Sequence, residues 1–365
     1  LSPRTGGSEE SQSRVILAAQ PTRGLDIGAI ECPSATDRAV LRRRSHPARF
    51  RDLDEILTLS DRIAVLTKEV DPPMNLWQQY LRPDNVTEAL QALSSVPGLA
   101  CPIAGGTDLM LDLQQGRHAP VHTLVDLTAI SEMTVIEARA DELFIGAAAP
   151  LSRIAASTLA GQHAQALVVA CNLIGGPQVR NVATLGGNVA HALPAADGTI
   201  ALLALDAQAE VAGLQGRRRV TLAALFVGPG QSSLKAGQEL LVGFYLPFCA
   251  AHQASAFERI MRAQGIALPI LNLAVWLERR ADRIANVRIA VGPGGPIPFR
   301  ASATEKALKR KSPTAEALTS ALDVLLQEAK FRTSPQRASA EYRRHLVGIL
   351  LKDTLEAAWE RAGMD

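Results

Sequence analysis

The sequence predicts an α+β protein, and three observations carry that expectation. Short apolar runs bounded by Gly and Pro recur from about residue 100 to residue 300, in the manner of strands and tight turns. From Ser302 onward the pattern turns helical, in ATEKALKR, TAEALTSALDVLLQEA and SAEYRRHLVGILLKDTLEAAWERA. Strands followed by a run of helices describe an α+β unit, not an alternating one. Thirdly, a strand runs through a glycine pair into a helix in IAGGTDL (103–109), and the same ingredients return in ATLGGN (183–188).

Bulk properties narrow the function. A chain of 365 residues, 47% of them apolar, is long enough for two or three domains with sizeable cores. Its net charge of +2 points to no polyanionic partner, and 4% aromatic residues argue against a base-stacking surface, so no nucleic acid is expected. There is no apolar run of about 18 residues, and LSPRTGGSEESQSR lacks the apolar core of a signal peptide. No membrane contact and a cytoplasmic location are therefore expected. Cys32, Cys101, Cys171 and Cys249 are scattered, with no C-x-x-C pair and no His at ligand spacing. They read as separate buried thiols, and no metal site is expected.

Residues 1–73 differ from the rest of the chain. RVILAAQPTRGLDIGAIE and DLDEILTLSDRIAVL resemble the late part of the nucleotide-binding subunit of an ABC importer for sugars or nucleosides. Ala19-Gln20 stands where that family has Asp-Glu, and the chain has no G-x-x-x-x-G-K-[ST] loop, so ATP hydrolysis has no machinery. The joint CPSATDRAVLRRRSHPARF is Arg-rich and unlike either flank, and Met74 stands directly before a new pattern. This segment is read as a poorly ordered remnant of a neighbouring gene, with a regulatory extension as the alternative.

From Met74 the elements come in order. Pro83-Asp84 turns the chain, and Asn85 or Thr87 caps a helix reaching about Val96 with Ala89, Leu90 and Leu93 on one face. Pro97-Gly98 stops it. ACPIA is a strand, a helix starts near Leu109, and TLVDLTAI, MTVIEA and ELFIGAA are strand-like. PLSRIAAS opens a helix, and 163–175 is helical and apolar. IALLALDAQAEVAG, RRRVTLAALF and ELLVGFYLP read as strands, and CAAHQAS marks a subdomain change. LPILNLAVWLE and ANVRIAVG are strands of the next unit.

The glycine pairs carry the chemistry. Gly105 and Gly106 can take positive φ and expose backbone N–H groups, and a following helix N-terminus adds partial positive charge. That is an anion nest suited to a pyrophosphate. A plain strand-to-helix turn capped by Thr107 or Asp108 explains the same residues equally well. The second loop, with Thr184, Gly186, Gly187 and Asn188, shifts the balance, because two nests facing one ligand could hold both phosphates of a dinucleotide. Neither loop is the G-x-G-x-x-G of a Rossmann unit. Asp197 would accept hydrogen bonds from ribityl or ribose hydroxyls, or cap the helix that GTIALLAL would then form.

IAGGTDL, IGGPQVRNVATLGGN, LPAAD, LLVGFYLP and RASAEYRRHL, in that order over residues 74–365, resemble the FAD-binding subunit of the molybdenum hydroxylases, the family of xanthine dehydrogenase and carbon monoxide dehydrogenase. The resemblance implies an FAD-binding fold over 74–250 in two subdomains, a mixed α/β one (about 74–128) and a strand-rich one (129–250). An α+β C-terminal domain (251–365) with a small antiparallel sheet and a helical bundle would follow. It assigns the FAD diphosphate to Ile103, Ala104, Gly105, Gly106, Thr107, Asp108 and Leu109, and to Ala183, Thr184, Gly186, Gly187 and Asn188. Ile174 and a Leu at 240 or 241, taken as Leu241, would pack near the isoalloxazine. Asp197 holds the acid position of the family's ASPxxD motif, whose Ser is Leu193 here. Some relatives carry a Lys near the flavin; Pro269 occupies that neighbourhood here. Arg337, Arg343 and Arg344 are read as a solvated helix face.

The function implied is that of an oxidoreductase subunit. A molybdopterin-binding large subunit would oxidise the substrate, a small subunit with two-iron two-sulfur clusters would pass the electrons on, and FAD on this chain would deliver them to NAD or another acceptor. No catalytic side chain is expected on this chain. The importer-like front end favours purines slightly as substrate. Two other readings stay open: a stand-alone flavin oxidase, for which His191 is the candidate base, and a non-enzymatic transporter scaffold defined by residues 1–73.

Overall fold

The computed structural model describes residues 76–261, 268–335 and 337–363. The readings of residues 1–73 and of Cys32 lie outside them. One compact unit runs from residue 75 to the C-terminus.

The chain enters on β1 (Trp77–Leu81) and turns at Pro83 into α1 (Val86–Ser95). Asn85 caps that helix by accepting the N–H of Glu88 at 2.9 Å, and Glu88 reaches back to accept the N–H of Asp84 at 3.1 Å. Val86, Ala89, Leu90 and Leu93 form its buried face. Gly98, at φ +86°, reverses the chain into β2 (Ala100–Ile103). After α2 (Leu109–Gln114) comes β3 (Val121–Asp126), and β1 and β2 both pair with β3 in parallel. A small core of Leu113, Val121 and Leu124, with Ile103, Leu109 and Met110 packed against it, joins this sheet to α2.

The second sheet is five-stranded and antiparallel, in the order β4 (Ile136–Arg139), β5 (Glu142–Gly146), β10 (Glu239–Pro247), β6 (Gln208–Gly213), β7 (Gly216–Thr221). One turn of helix, α3 (Ser131–Thr134), precedes β4, so the strand expected from Met133 begins later. The short pair β8 (Phe226–Gly228) and β9 (Gln231–Ser232) lies between β7 and β10.

Between β5 and β6 the chain makes six helices: α4 (Leu151–Ala155), α5 (Thr158–His163), α6 (Gln165–Leu173), α7 (Pro177–Val182), α8 (Leu185–Ala190) and α9 (Asp197–Ala204). Here one expectation fails. IALLAL, expected as a strand, is helical to Ala204, and the strand begins only at Gln208. Every residue of α9 is buried, so no polar face marks the helical period.

The C-terminal sheet is antiparallel, in the order β11 (Gln253–Met261), β12 (Pro269–Arg280), β13 (Arg283–Gly292), β14 (Phe299–Arg300). Its central strand β12 is buried on both faces from Pro269 to Leu277, and alternate residues serve different cores. Leu271, Leu273, Val275 and Leu277 join α10 (Ser302–Leu308), α11 (Ala315–Glu328) and α12 (Ala340–Arg361) in the second large core. Ala274 and Trp276 point the other way, into the first large core with α6 and α9. The sheet is thus shared between the two cores, and α9 is the helix laid against β12 and β13.

Leu202 is wholly buried in the middle of α9. Leu202→Ala is expected to lower stability by about 2–5 kcal/mol through lost burial and the cavity left behind. A urea denaturation series on the purified chain measures it.

Candidate functional site

The site begins at the carboxyl end of β2. Ile103 leaves the sheet and the loop 104–108 crosses to α2. At Gly105 a Cβ would collide with the carbonyl oxygen of Val182 and lie 2.7 Å from Cα of Ala183. The two glycine loops therefore touch backbone to backbone at a point where only Gly fits. Gly106 has φ +65°, in the left-handed region that disfavours a side chain. Asp108 stands at the cap position of α2 but makes no side-chain capping bond.

The second loop closes the wall from the other side. Thr184 caps α8, its hydroxyl oxygen accepting the Gly187 N–H at 3.2 Å. Gly186 is a packing glycine: a Cβ there would meet Cβ of Ala147 at 2.6 Å, and the residue does not line the cavity. Asn188 Oδ1 accepts the backbone N–H of Thr199 at 3.2 Å, tying α8 to α9. Both α2 and α8 are only six residues long, so neither brings a long helix dipole, and the first-turn N–H groups of α8 are bonded within the protein, to Ala147, Ala149 and Thr184.

Together these loops border a cavity of about 870 Å³. Ile103 to Leu109, Ile174, Ala183, Thr184, Gly187, Asn188 and Asp197 all lie on its wall. Leu241 does not. It sits on β10, 6% exposed, with its side chain in the first large core, which corrects the expected flavin contact. Leu193, Pro269 and His191 line the cavity as well, His191 as the residue that ends α8.

Asp197 is the buried charge of the site. It is the first residue of α9, with Ala196 at the cap position, so the capping role does not apply. Its Oδ2 accepts Nη1 of Arg259 at 2.6 Å, and Oδ1 accepts Nδ2 of Asn272 at 2.5 Å. Both side chains of the ion pair are 4% exposed. Burial pushes the Asp197 carboxyl above its ordinary range, and Arg259, Asn272 and Arg337 pull it back down. Arg259 also donates Nη2 to the carbonyl of Leu173, one residue before Ile174. Arg259 Nε and Asn272 Oδ1 are buried and unpartnered.

Sequence alone does not reveal these partners. Arg259 and Asn272 lie 62 and 75 residues along the chain from Asp197, so no local spacing announces them. Arg343 is a further correction to the expected solvated face. It is 2% exposed and lines the cavity, donating Nε to the carbonyl of Ile270 at 3.1 Å and Nη1 to that of Arg332. Its period is legible: Arg343, Val347, Leu350, Leu351, Thr354 and Ala358 share the buried face of α12. Arg344 is on the exposed side, as expected. Arg332 and Arg337, from the loop before α12, also reach the cavity wall.

The three cysteines among the described residues are unpaired, Cys171 buried and Cys101 and Cys249 half-buried. Burial pushes all three thiols up. No helix among the described residues is long and apolar enough to cross a membrane.

The arrangement suits an extended, partly anionic ligand. The volume falls within the range of cofactor clefts. The wall offers the backbone of the first loop, the Thr184 and Asn188 side chains of the second, a buried carboxylate and four guanidinium groups, from Arg259, Arg332, Arg337 and Arg343.

Comparison with known proteins bears on which ligand that is. Residues 74–249 match a family described as the FAD binding domain in molybdopterin dehydrogenase, and residues 255–358 match the CO dehydrogenase flavoprotein C-terminal domain. The xanthine dehydrogenase FAD-binding subunit of Escherichia coli O157:H7 is 29% identical over 286 residues, covering 78% of this chain and 97% of that one. The nicotine 6-hydroxylase medium subunit of Paenarthrobacter nicotinovorans is 30% identical, covering 78% and 98%. Among solved structures, carbon monoxide dehydrogenase from Hydrogenophaga pseudoflava superposes with a TM-score of 0.74 at 29% identity, covering 80% of this chain and 99% of that chain.

Arg259→Met leaves Asp197 buried without its counter-ion and is expected to cost about 3–5 kcal/mol near neutral pH. The penalty shrinks as the pH falls through the carboxyl's raised value, where a proton replaces the lost cation. Adding Asp197→Leu recovers most of the loss. Denaturation midpoints of wild type, single and double variants at several pH values measure all three effects.

Proposed function

This chain belongs to the family of FAD-binding subunits of molybdopterin dehydrogenases, and on that premise we propose that its two touching glycine loops hold the FAD diphosphate in a molybdenum-containing hydroxylase. The chain is a flavoprotein and part of an oxidoreductase. The observation that carries the reading is the close approach at Gly105, which brings both loops to one cavity wall.

FAD, when bound, supplies the means to accept electrons from one centre and pass them to another. This chain's residues bind and orient it. Backbone N–H groups of 105–107, with the Thr184 and Asn188 side chains of the second loop, would meet the diphosphate, where the glycines carry no side chain to clash. Asp197, fixed by Arg259 and Asn272, would accept hydrogen bonds from ribityl or ribose hydroxyls, since each of its oxygens keeps a lone pair beyond its protein donor. Ile174 gives an apolar surface to the ring system and excludes water there. No side chain is assigned a proton-transfer role.

A molybdopterin-binding large subunit and a small subunit with two-iron two-sulfur clusters are the proposed partners. The relatives named as medium chains or medium subunits support this, because such names imply larger and smaller companions. Leu111, Leu193 and Leu268, exposed at the cavity wall, supply apolar surface that a partner subunit would cover. Electron delivery to NAD and a purine substrate extend the same reading, supported by the relatives named for xanthine dehydrogenase.

The test is an absorption spectrum of the purified chain after FAD is added and the excess removed. About one equivalent of flavin is expected to remain, and Gly105→Val with Gly187→Val is expected to lose it while circular dichroism shows retained structure. Folded wild-type chain that keeps no flavin, alone or co-expressed with large and small subunits, would overturn the assignment.

A further inference from the structure

Helix α6 ends at the cavity, and side chains from outside it hold both of its ends. Ser255 on β11 is 4% exposed, and its hydroxyl oxygen accepts the N–H of Ala166, in the first turn of α6, at 3.0 Å. Four residues on, and so on the same face of the strand, Arg259 donates Nη2 to the carbonyl of Leu173, the last residue of α6. An acceptor at the N-terminus and a cation at the C-terminus match the groups that a helix leaves unsatisfied and the sign of its dipole.

The turn after α6 is held by a second cation. Ile174 and Gly175 both line the cavity, and Gly175 sits at φ +55°. Arg180, from α7, reaches back over this turn. Its Nη1 donates to the carbonyl of Gly175 at 2.6 Å and lies 3.4 Å from that of Ile174. Two guanidinium groups thus take up three successive carbonyls, those of Leu173, Ile174 and Gly175. The two cations differ in charge balance. Arg259 is paired with Asp197, whereas Arg180 makes no ion pair among the described residues. Arg180 is half-buried and α7 has no buried residue, so this guanidinium serves the turn and not a core.

We infer that Arg180 is a positioning residue for the flavin ring. It fixes the Ile174–Gly175 turn and places a positive charge without a carboxylate partner behind it. The inference rests on the reading that the isoalloxazine packs on Ile174. A positive charge there favours the electron-rich reduced flavin over the oxidised one, and solvent around the half-buried guanidinium screens the effect to a modest size.

The experiment equilibrates the FAD-loaded full chain with a redox dye and reads the ratio of oxidised to reduced flavin from the visible spectrum. Arg180→Gln is expected to shift that ratio about threefold towards oxidised flavin, with flavin content and circular dichroism unchanged. Arg180→Lys keeps the cation and is expected to restore the wild-type ratio. Ile174→Ala strips the apolar surface and is expected to perturb the visible flavin bands. A perturbed spectrum in Ile174→Ala with the wild-type ratio in Arg180→Gln overturns the role of Arg180, even where that variant melts earlier, and leaves the ring beside Ile174. Wild-type spectra and ratios in both variants overturn the placing of the ring and the inference together. A ratio in Arg180→Lys as far shifted as in Arg180→Gln overturns the assignment to charge.

Discussion

The site depends on one buried ion pair, Asp197 with Arg259. Asp197 opens a helix of the first large core, and Arg259 belongs to the sheet that divides the two large cores. Each is 4% exposed, and each would be an unpaired charge without the other. The pair therefore makes the cavity a property of the whole unit from residue 75 onward. Neither the glycine loops nor the C-terminal sheet could shape it alone. The same guanidinium binds the carbonyl before Ile174, so one side chain fixes both an acid and an apolar surface of the cavity.

A second constraint is steric. Gly105 meets the backbone of Val182 and Ala183, and Gly186 meets Ala147. The first contact joins the three-stranded parallel sheet to the helical segment, and the second seats that segment on the strand-rich part. Glycine is needed in these places for closeness, whereas Gly106 and Gly98 are needed for backbone conformation. Two different physical demands thus sit under one residue type. The closeness also explains how two modest loops, each ordinary as an isolated turn, come to line one cavity wall.

Legibility in the sequence tracks how local each feature is. The helix at Val86–Ser95 announces itself through Asn85 and the Ala89, Leu90, Leu93 stripe, because a cap and a half-buried face are both written within one helix length. The glycine loops are legible for the same reason. The helix at Asp197–Ala204 is not, since a segment buried on every side shows no period. Arg259 and Asn272 are not, since their role is defined by Asp197 far along the chain. Arg343 falls between these cases: its charge suggests a solvated face, while its spacing with Val347 and Leu350 places it inside. Resemblance assigns Leu241 to the flavin, and strand pairing of β10 with β5 and β6 turns it into the core instead.

The central claim is where the diphosphate lies, and a crystal structure of the FAD-loaded chain tests it most directly. The account predicts both phosphorus atoms against the backbone N–H groups of Gly105–Thr107 and the side chains of Thr184 and Asn188, with Asp197 beside the ribityl chain and the arginine end of the cavity free of flavin. A diphosphate seated on Arg332 and Arg337, with the glycine loops making only contacts to each other, would contradict it.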